Sequence, residues 1–337
     1  MTTTLEPAVA TTGHVISYRE AINEALKDEM RRDERVFAAG IDLAERGDVF
    51  GITAGVLQEF GPRRIIDTPI SENAIAGLAT GAASQGLRPV VSMMFVDFIG
   101  VCFDQILNQM AKMKYMFGGK AVLPITVLAN AGAGTGMAAQ HSQSLEALLC
   151  HIPGIKVVMP STADDAKGLM TAAMRDDNPV FVIMHKRCAR LRSAVPEGEY
   201  IVPLGKARIM REGTDLTIVA TAYMVHEALA AADRLAEQGI EVEVIDPRTL
   251  QPLDTDTIVE SVKKTHRLLT VHEAVEFAGI GAEINAQVAD QAFDYLDAPP
   301  RRLGGPFSPI PYSPPLEQAW LVNADDIFES ALGVVNG

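Results

Sequence analysis

Three side chains of this sequence have types and settings suited to chemistry. The stretch TPISENAIAGLATGAASQG, Thr68 to Gly86, carries apolar or small residues at Ile75, Ala76, Ala79, Ala82 and Ala83. That helical period places Glu72 at the head of the stripe due to face a core. An acid in a first turn, after Pro69 and the N-cap candidate Ser71, also complements the helix dipole, so position alone leaves both roles open. His141 follows a glycine-rich turn in NAGAGTGMAAQHS, at the carboxyl edge of a strand candidate, a setting that suits an acid/base catalyst as well as a structural histidine. Phe98 falls just past the strand candidate RPVVSMMF, where a flat ring either joins the core or stacks on a heterocycle.

Other chemistries lack their signatures. Gly132, Gly134 and Gly136 do not complete a dinucleotide fingerprint, because Met137 takes the third glycine position. The turn is better read as a close approach at a strand's carboxyl end, where open α/β sheets bind ligands. There is no Walker A sequence and no G-x-S-x-G elbow, and His151, His185, His226, His266 and His272 lack metal-ligand spacing.

The elements that must position these residues alternate between strand-like and helix-like segments, which predicts an α/β fold of two consecutive domains, each a mainly parallel sheet covered by helices. Strand candidates are RVFAAG, RRIIDT, RPVVSMMF, LPITVLAN, IKVVMP and PVFVIMH. SYREAINEALKDEMRRD opens with a Ser17–Glu20 capping box, and further helices are expected from Ser71, from Ile99 to Met116, from Ser142 to Cys150 and from Asp164 to Asp176. The expected layout is a polar, mobile extension over 1–14, a first domain over 15–190, a linker over 191–210 and a second domain over 211–337. The Pro-rich LGGPFSPIPYSPPLEQAW is expected to be an ordered surface connection.

At 337 residues the chain suits two domains, and 48% hydrophobic with 21% charged residues excludes a disordered or fibrous class. A net charge of −14 argues against a nucleic-acid or anionic-membrane partner. No apolar run approaches a membrane span, the first residues lack a signal-peptide pattern, and Cys102, Cys150 and Cys188 read as reduced cysteines of a cytoplasmic protein.

IIDTPISE, MFVDFIGVCFDQILNQMAKMKYMFGGK, AAQHSQSLEALLCHIPGIKVVMPSTADDAKGL and RDDNPV together resemble the β subunit of the thiamine-diphosphate-dependent decarboxylating component of 2-oxo acid dehydrogenase complexes, of the pyruvate and acetoin dehydrogenase type. The resemblance runs from about Ile16 to the end. It implies a transketolase-like pyrimidine-binding domain followed by a transketolase C-terminal-like domain. It also implies that Glu72 hydrogen-bonds the cofactor's aminopyrimidine ring nitrogen, promoting the imino tautomer that removes the thiazolium proton. A carboxylate in an apolar pocket suits that task, since desolvation raises proton affinity. By the same resemblance Phe98 packs on the aminopyrimidine, Ile70 joins the cofactor site and His141 serves acyl transfer to a lipoyl group. Potassium would be held by oxygens of Ile125, Ala173, Asp176 and Asn178.

No G-D-G motif for the diphosphate Mg²⁺ occurs, which implies an α subunit that holds the metal in an α₂β₂ heterotetramer, with a dihydrolipoyl acyltransferase core as a further partner. The substrate would be a small 2-oxo acid or acetoin. Three positions depart from the family pattern. Ile41 stands for an acid of a proton path between paired cofactors, Met184 stands for a common Glu, and GGPFSPIPYSPPLE lacks an Asp that often precedes the Pro pair. These departures touch site-to-site communication and membership of a lipoyl-bearing complex. A divergent enzyme with another acceptor and a non-catalytic scaffold chain are the alternatives.

Overall fold

A computed structural model describes residues 13–337, so most of the N-terminal extension expected over 1–14 lies outside the described residues. The chain packs into two compact units. The first comprises residues 13–131 and 148–204, and the second comprises Gly132–Ala147 and Gly205–Gly337.

In the first unit β1 (Gly13–Ser17) leads into α1 (Tyr18–Arg32), whose start carries the expected reciprocal Ser17–Glu20 capping box. There follow β2 (Val36–Gly40), α2 (Val56–Phe60), β3 (Ile65–Asp67), α3 (Glu72–Ser84), β4 (Arg88–Phe95), α4 (Met113–Met116) and β5 (Thr126–Ala131). After α5 (Glu146–Cys150) come β6 (Lys156–Val158), α6 (Ala163–Arg175), β7 (Val180–His185) and β8 (Arg192–Pro196). The strands β6-β7-β5-β4-β2-β3 neighbour one another in that order and run parallel. β5 and β7 are buried along their whole length, which is why TVLANA and VFVIMH read as continuous apolar runs rather than alternating ones. α1 packs on α6, and the buried Glu29 carboxylate between them is neutralised by Arg175 at 2.6 Å and Arg32 at 2.7 Å.

In the second unit β9 (Arg208–Arg211), β10 (Leu216–Ala220), α7 (Met224–Ala236), β11 (Val242–Asp246), β12 (Thr249–Gln251), α8 (Thr255–Thr265), β13 (Leu268–Val275), α9 (Ile280–Ala292), β14 (Arg301–Gly305), α10 (Pro314–Trp320) and α11 (Ala324–Val335) follow in turn. Its sheet has the order β14-β13-β10-β11-β9, parallel except for the antiparallel edge strand β9. Ile218, Val244 and Leu269 of the sheet pack against α7 and α11 through Val225, Ala228, Ile327 and Ala331. Among the described residues no helix is long and apolar enough to cross a membrane.

Four expectations differ from the structure. The helix expected from Ile99 to Met116 is a 3-10 turn over Val96–Cys102, a π-helix over Gln105–Met110 and the short α4. In the π-helix the Ala111 N–H donates to Ile106 O while Ile106 and Met110 are both fully buried, so side-chain packing overrides the α ladder. The helix expected from Ser142 shrinks to α5, because Gln143 O accepts from Gly132 N–H and draws the preceding residues into a closed loop. The expected linker holds structure: β8 pairs antiparallel with β1, and β9 borders the second sheet. Finally, Gly132–Ala147, the His141-bearing loop within the stretch expected as the first domain, packs with the second unit.

Candidate active site

In the first unit the site residues gather at the carboxyl ends of β3 and β4. α3 begins at Glu72, and Glu72, Ile75, Ala76, Ala79, Thr80 and Ala83 form its buried face, as the spacing predicts. Ser71 occupies the N-cap position, yet its side chain makes no capping bond. The Glu72 side chain is 5% exposed, and no hydrogen bond or ion pair reaches its carboxylate among the described residues. Thr68 Oγ1, four residues earlier, is buried without a partner among the described residues. The buried hydroxyl with no internal partner is costly to fold, and it and the nearly enclosed acid are the groups that a bound polar group would satisfy. Ile70 lies between them at 81% exposure, leaving an apolar side chain open at the same edge.

β4 delivers Phe98 through a kink. The register of β4 against β5 shifts between Ser92 and Phe95, and Met94 sits at φ 57°, a left-handed conformation costly for a side chain of its size. Asn130 Nδ2 donates to Met94 O at 2.7 Å and Met94 N–H donates to Ser92 Oγ at 3.2 Å, which holds the kink in place. The following turn carries Phe98, half-buried and edge-on to Phe95 with ring centres 5.9 Å apart. Backbone strain of this kind clusters at working sites. Cys102 in the same turn is fully buried, and burial first and the Glu72 charge second push its thiol up to about 12.

Of the four residues expected to hold potassium, Ala173, Asp176 and Asn178 meet at the end of α6, while Ile125 is hydrogen-bonded to Val180. The Asp176 carboxylate accepts from Lys156 Nζ at 2.5 Å and from Asn178 N and Nδ2 at 2.8 Å, while Asn178 Oδ1 accepts from Lys114 Nζ at 2.6 Å. The main-chain oxygens of Ile125, Ala173 and Asp176 accept from Val180 N, Asp176 N and Arg88 Nη2. Each such carbonyl has a second lone pair, so these oxygens can still face a hard cation, whereas the side-chain oxygens are held by ammonium groups.

In the second unit His141 is half-buried on the loop that closes through Gly132 N–H to Gln143 O at 3.1 Å. The loop's glycines Gly132, Gly134 and Gly136 have φ of 94°, 81° and 70°. Their amides do not await a ligand. Ala133 N–H donates to Glu273 Oε1 at 2.5 Å, Gly134 N–H to Glu317 Oε1 at 2.9 Å, and Gly136 N–H to both Glu317 oxygens at 3.2 and 3.1 Å. The turn is expected to be a close approach at a strand's carboxyl end, where open α/β sheets bind ligands, and its amides meet two carboxylates of its own unit. These acids lie 140 and 183 residues away along the chain, so no local signal pointed to them. Glu146, at the head of α5, is also buried; neither carboxyl oxygen has a hydrogen-bond partner among the described residues, and desolvation lifts its pKa to about 7, with the Glu273 charge adding to the rise.

A family model for the transketolase pyrimidine-binding domain matches residues 14–191, and one for the transketolase C-terminal domain matches residues 205–327. The chain is 50% identical to the β subunit of acetoin:2,6-dichlorophenolindophenol oxidoreductase of Bacillus subtilis, covering 94% of this chain and 96% of that protein. It is 47% identical to the pyruvate dehydrogenase E1 component subunit β of Rickettsia felis, covering 94% and 97%. The 2-oxoisovalerate dehydrogenase subunit β of Bacillus subtilis is 45% identical over 93% of this chain and 96% of its own length. Among solved structures, a split-gene transketolase described as an inactive β₄ tetramer shares the fold with a TM-score of 0.77 at 23% identity, covering 95% of this chain and 99% of that one.

Proposed function

The chain belongs to the family of transketolase-related β subunits of 2-oxo acid and acetoin dehydrogenases, and from that premise we propose a division of labour among its residues. The observation that carries the proposal is the Glu72 carboxylate, buried at the head of an apolar helix face with no partner of its own. The residues at that edge fit the pyrimidine end of thiamine diphosphate. Glu72 would hold a proton shared with the ring nitrogen, Phe98 would present its ring to the heterocycle, and Ile70 would shield the edge from water. When bound, the cofactor supplies the carbon nucleophile that cleaves a substrate next to its carbonyl. His141 would move the proton needed at a lipoyl sulfur as the acyl unit is handed on.

The chain works as an oxidoreductase subunit, and we assign the Mg²⁺ site for the diphosphate to an α partner in an α₂β₂ assembly. The exposed apolar run Tyr115, Met116 and Phe117 of the first unit supports a partner surface there. A lipoyl acyltransferase core as the acceptor, potassium on the main-chain oxygens of Ile125, Ala173 and Asp176, and a cytoplasmic setting for Cys102, Cys150 and Cys188, which form no disulfide, complete the proposal. Turnover by the co-expressed α and β chains on acetoin, pyruvate and branched 2-oxo acids, read with an artificial electron acceptor and with a lipoyl domain, tests it. No turnover of any of these by a folded, cofactor-loaded assembly would overturn it.

A further inference from the structure

We propose that Glu317 is a positioning residue for His141, acting through the glycine loop; this rests on His141 serving the acyl-transfer half-reaction. The loop residues Gly132, Gly134 and Gly136 all adopt left-handed backbone, and Ala138 does too at φ 59°. Glycines give a loop many alternatives, so one conformation must be imposed from outside. Glu317 imposes it. Both its carboxylate oxygens accept amide N–H bonds from Gly134 and Gly136, and Glu273 takes Ala133 between them and the strand end.

Glu317 is 6% exposed, and no Lys or Arg pairs with it among the described residues, so the loop amides are what compensate its buried charge. Bonds to an ionised acceptor are about twice as strong as neutral ones, which makes this clamp stiff. Its far side is fixed too. Glu317 lies on α10, whose Trp320 donates from Nε1 to Ser308 Oγ at 3.1 Å and lines a cavity of about 310 Å³ with Gln143 and Ser144 of the His141 segment. The clamp holds the loop at one end. The Gly132 N–H to Gln143 O bond and the His141 N–H to Ala138 O bond at 3.4 Å carry that hold to the histidine.

The test uses the reconstituted α/β enzyme with Glu317→Ala, Glu317→Gln, His141→Ala and the Glu317→Ala/His141→Ala pair. Each is assayed for artificial-acceptor reduction and for lipoyl acylation. Glu317→Ala is expected to slow acylation by about tenfold or more while acceptor reduction stays within about twofold. Glu317→Gln, which keeps one acceptor oxygen, should fall between Ala and wild type. The double variant should be no slower in acylation than His141→Ala, because a residue that acts through His141 has nothing left to lose. Hydrogen exchange across 132–143 should quicken in both Glu317 variants.

Equal loss of both half-reactions, or losses that multiply in the double variant, would overturn the proposal. So would quickened exchange with acylation unchanged. If His141→Ala itself spares acylation, the role given to His141 fails, and that failure is read from the single variant alone. Should Glu317→Ala not assemble, Glu317→Gln carries the same comparison.

Discussion

Cys102 lies within the electrostatic reach of Glu72, whose charge adds to burial in holding the thiol protonated up to about 12. The pair fixes two things about the first unit's site. The cysteine is inert at neutral pH, since the thiolate is the nucleophile. The carboxylate has no hydrogen-bond or ion-pair partner among the described residues, which is the setting in which an incoming ring nitrogen would be its natural partner.

Glu72→Gln keeps the shape of the side chain and the packing of α3 but removes the ability to share a proton as a carboxylate does. The expected outcome is normal folding and α-subunit assembly with turnover reduced by about 10²–10⁴. Proton exchange at the thiazolium carbon of the bound cofactor, followed by NMR after quenching, should slow accordingly. Exchange at the wild-type rate would make Glu72 a helix-terminus acid, with a stability effect of only about 0.3–1 kcal/mol.

Replacing His141 by Ala should separate the two half-reactions. Lipoyl acylation is expected to fall by about 10²–10⁴, while reduction of an artificial acceptor persists because it needs no proton at sulfur. Equal losses in both assays would remove the acyl-transfer role.

The chain by itself is expected to bind thiamine diphosphate weakly, since the residues that would hold the diphosphate Mg²⁺ are assigned to the α chain. Titration calorimetry of the isolated β chain and of the α/β pair should show tight, Mg²⁺-dependent binding only for the pair. Tight binding to the isolated chain contradicts the shared site.

Glu146 makes stability depend on pH. Its folded pKa of about 7 stands above the unfolded value of 4.5, so the folded chain holds a proton that the unfolded chain gives up. Stability is therefore highest below the unfolded value and declines as pH rises through about 7, by up to about 3 kcal/mol. Urea unfolding should show that decline in the wild type and a flatter profile in Glu146→Gln. Parallel profiles would show that Glu146 does not titrate across this range.

Potassium is expected to raise the thermal midpoint of the α/β assembly relative to choline at equal ionic strength, through the main-chain oxygens of Ile125, Ala173 and Asp176. Ala173→Pro is unsuitable as a control because it breaks the helix. Lys156→Met is better, since it frees the Asp176 carboxylate and should deepen the potassium dependence. Equal midpoints in both salts would leave the loop held by Lys156, Lys114 and Arg88 alone.

The sequence by itself determined what depends on neighbours along the chain. Helical period placed Glu72 on a buried face, the Ser17–Glu20 box started α1, and the apolar runs marked β4, β5 and β7. These follow from side-chain spacing and capping, which act over a few residues. Tertiary structure decided the rest. The stretch after β4 has the composition of one long helix, yet burying Ile106 and Met110 beneath α3 winds it into 3-10 and π turns. The glycine loop has the composition of a ligand cradle, yet Glu273 and Glu317 occupy its amides, drawn in from 140 and 183 residues away. Such a partner is chosen by which strands and helices come to lie side by side, and hydrogen-bond donors of a loop carry no record in their own sequence of the acceptor that will reach them.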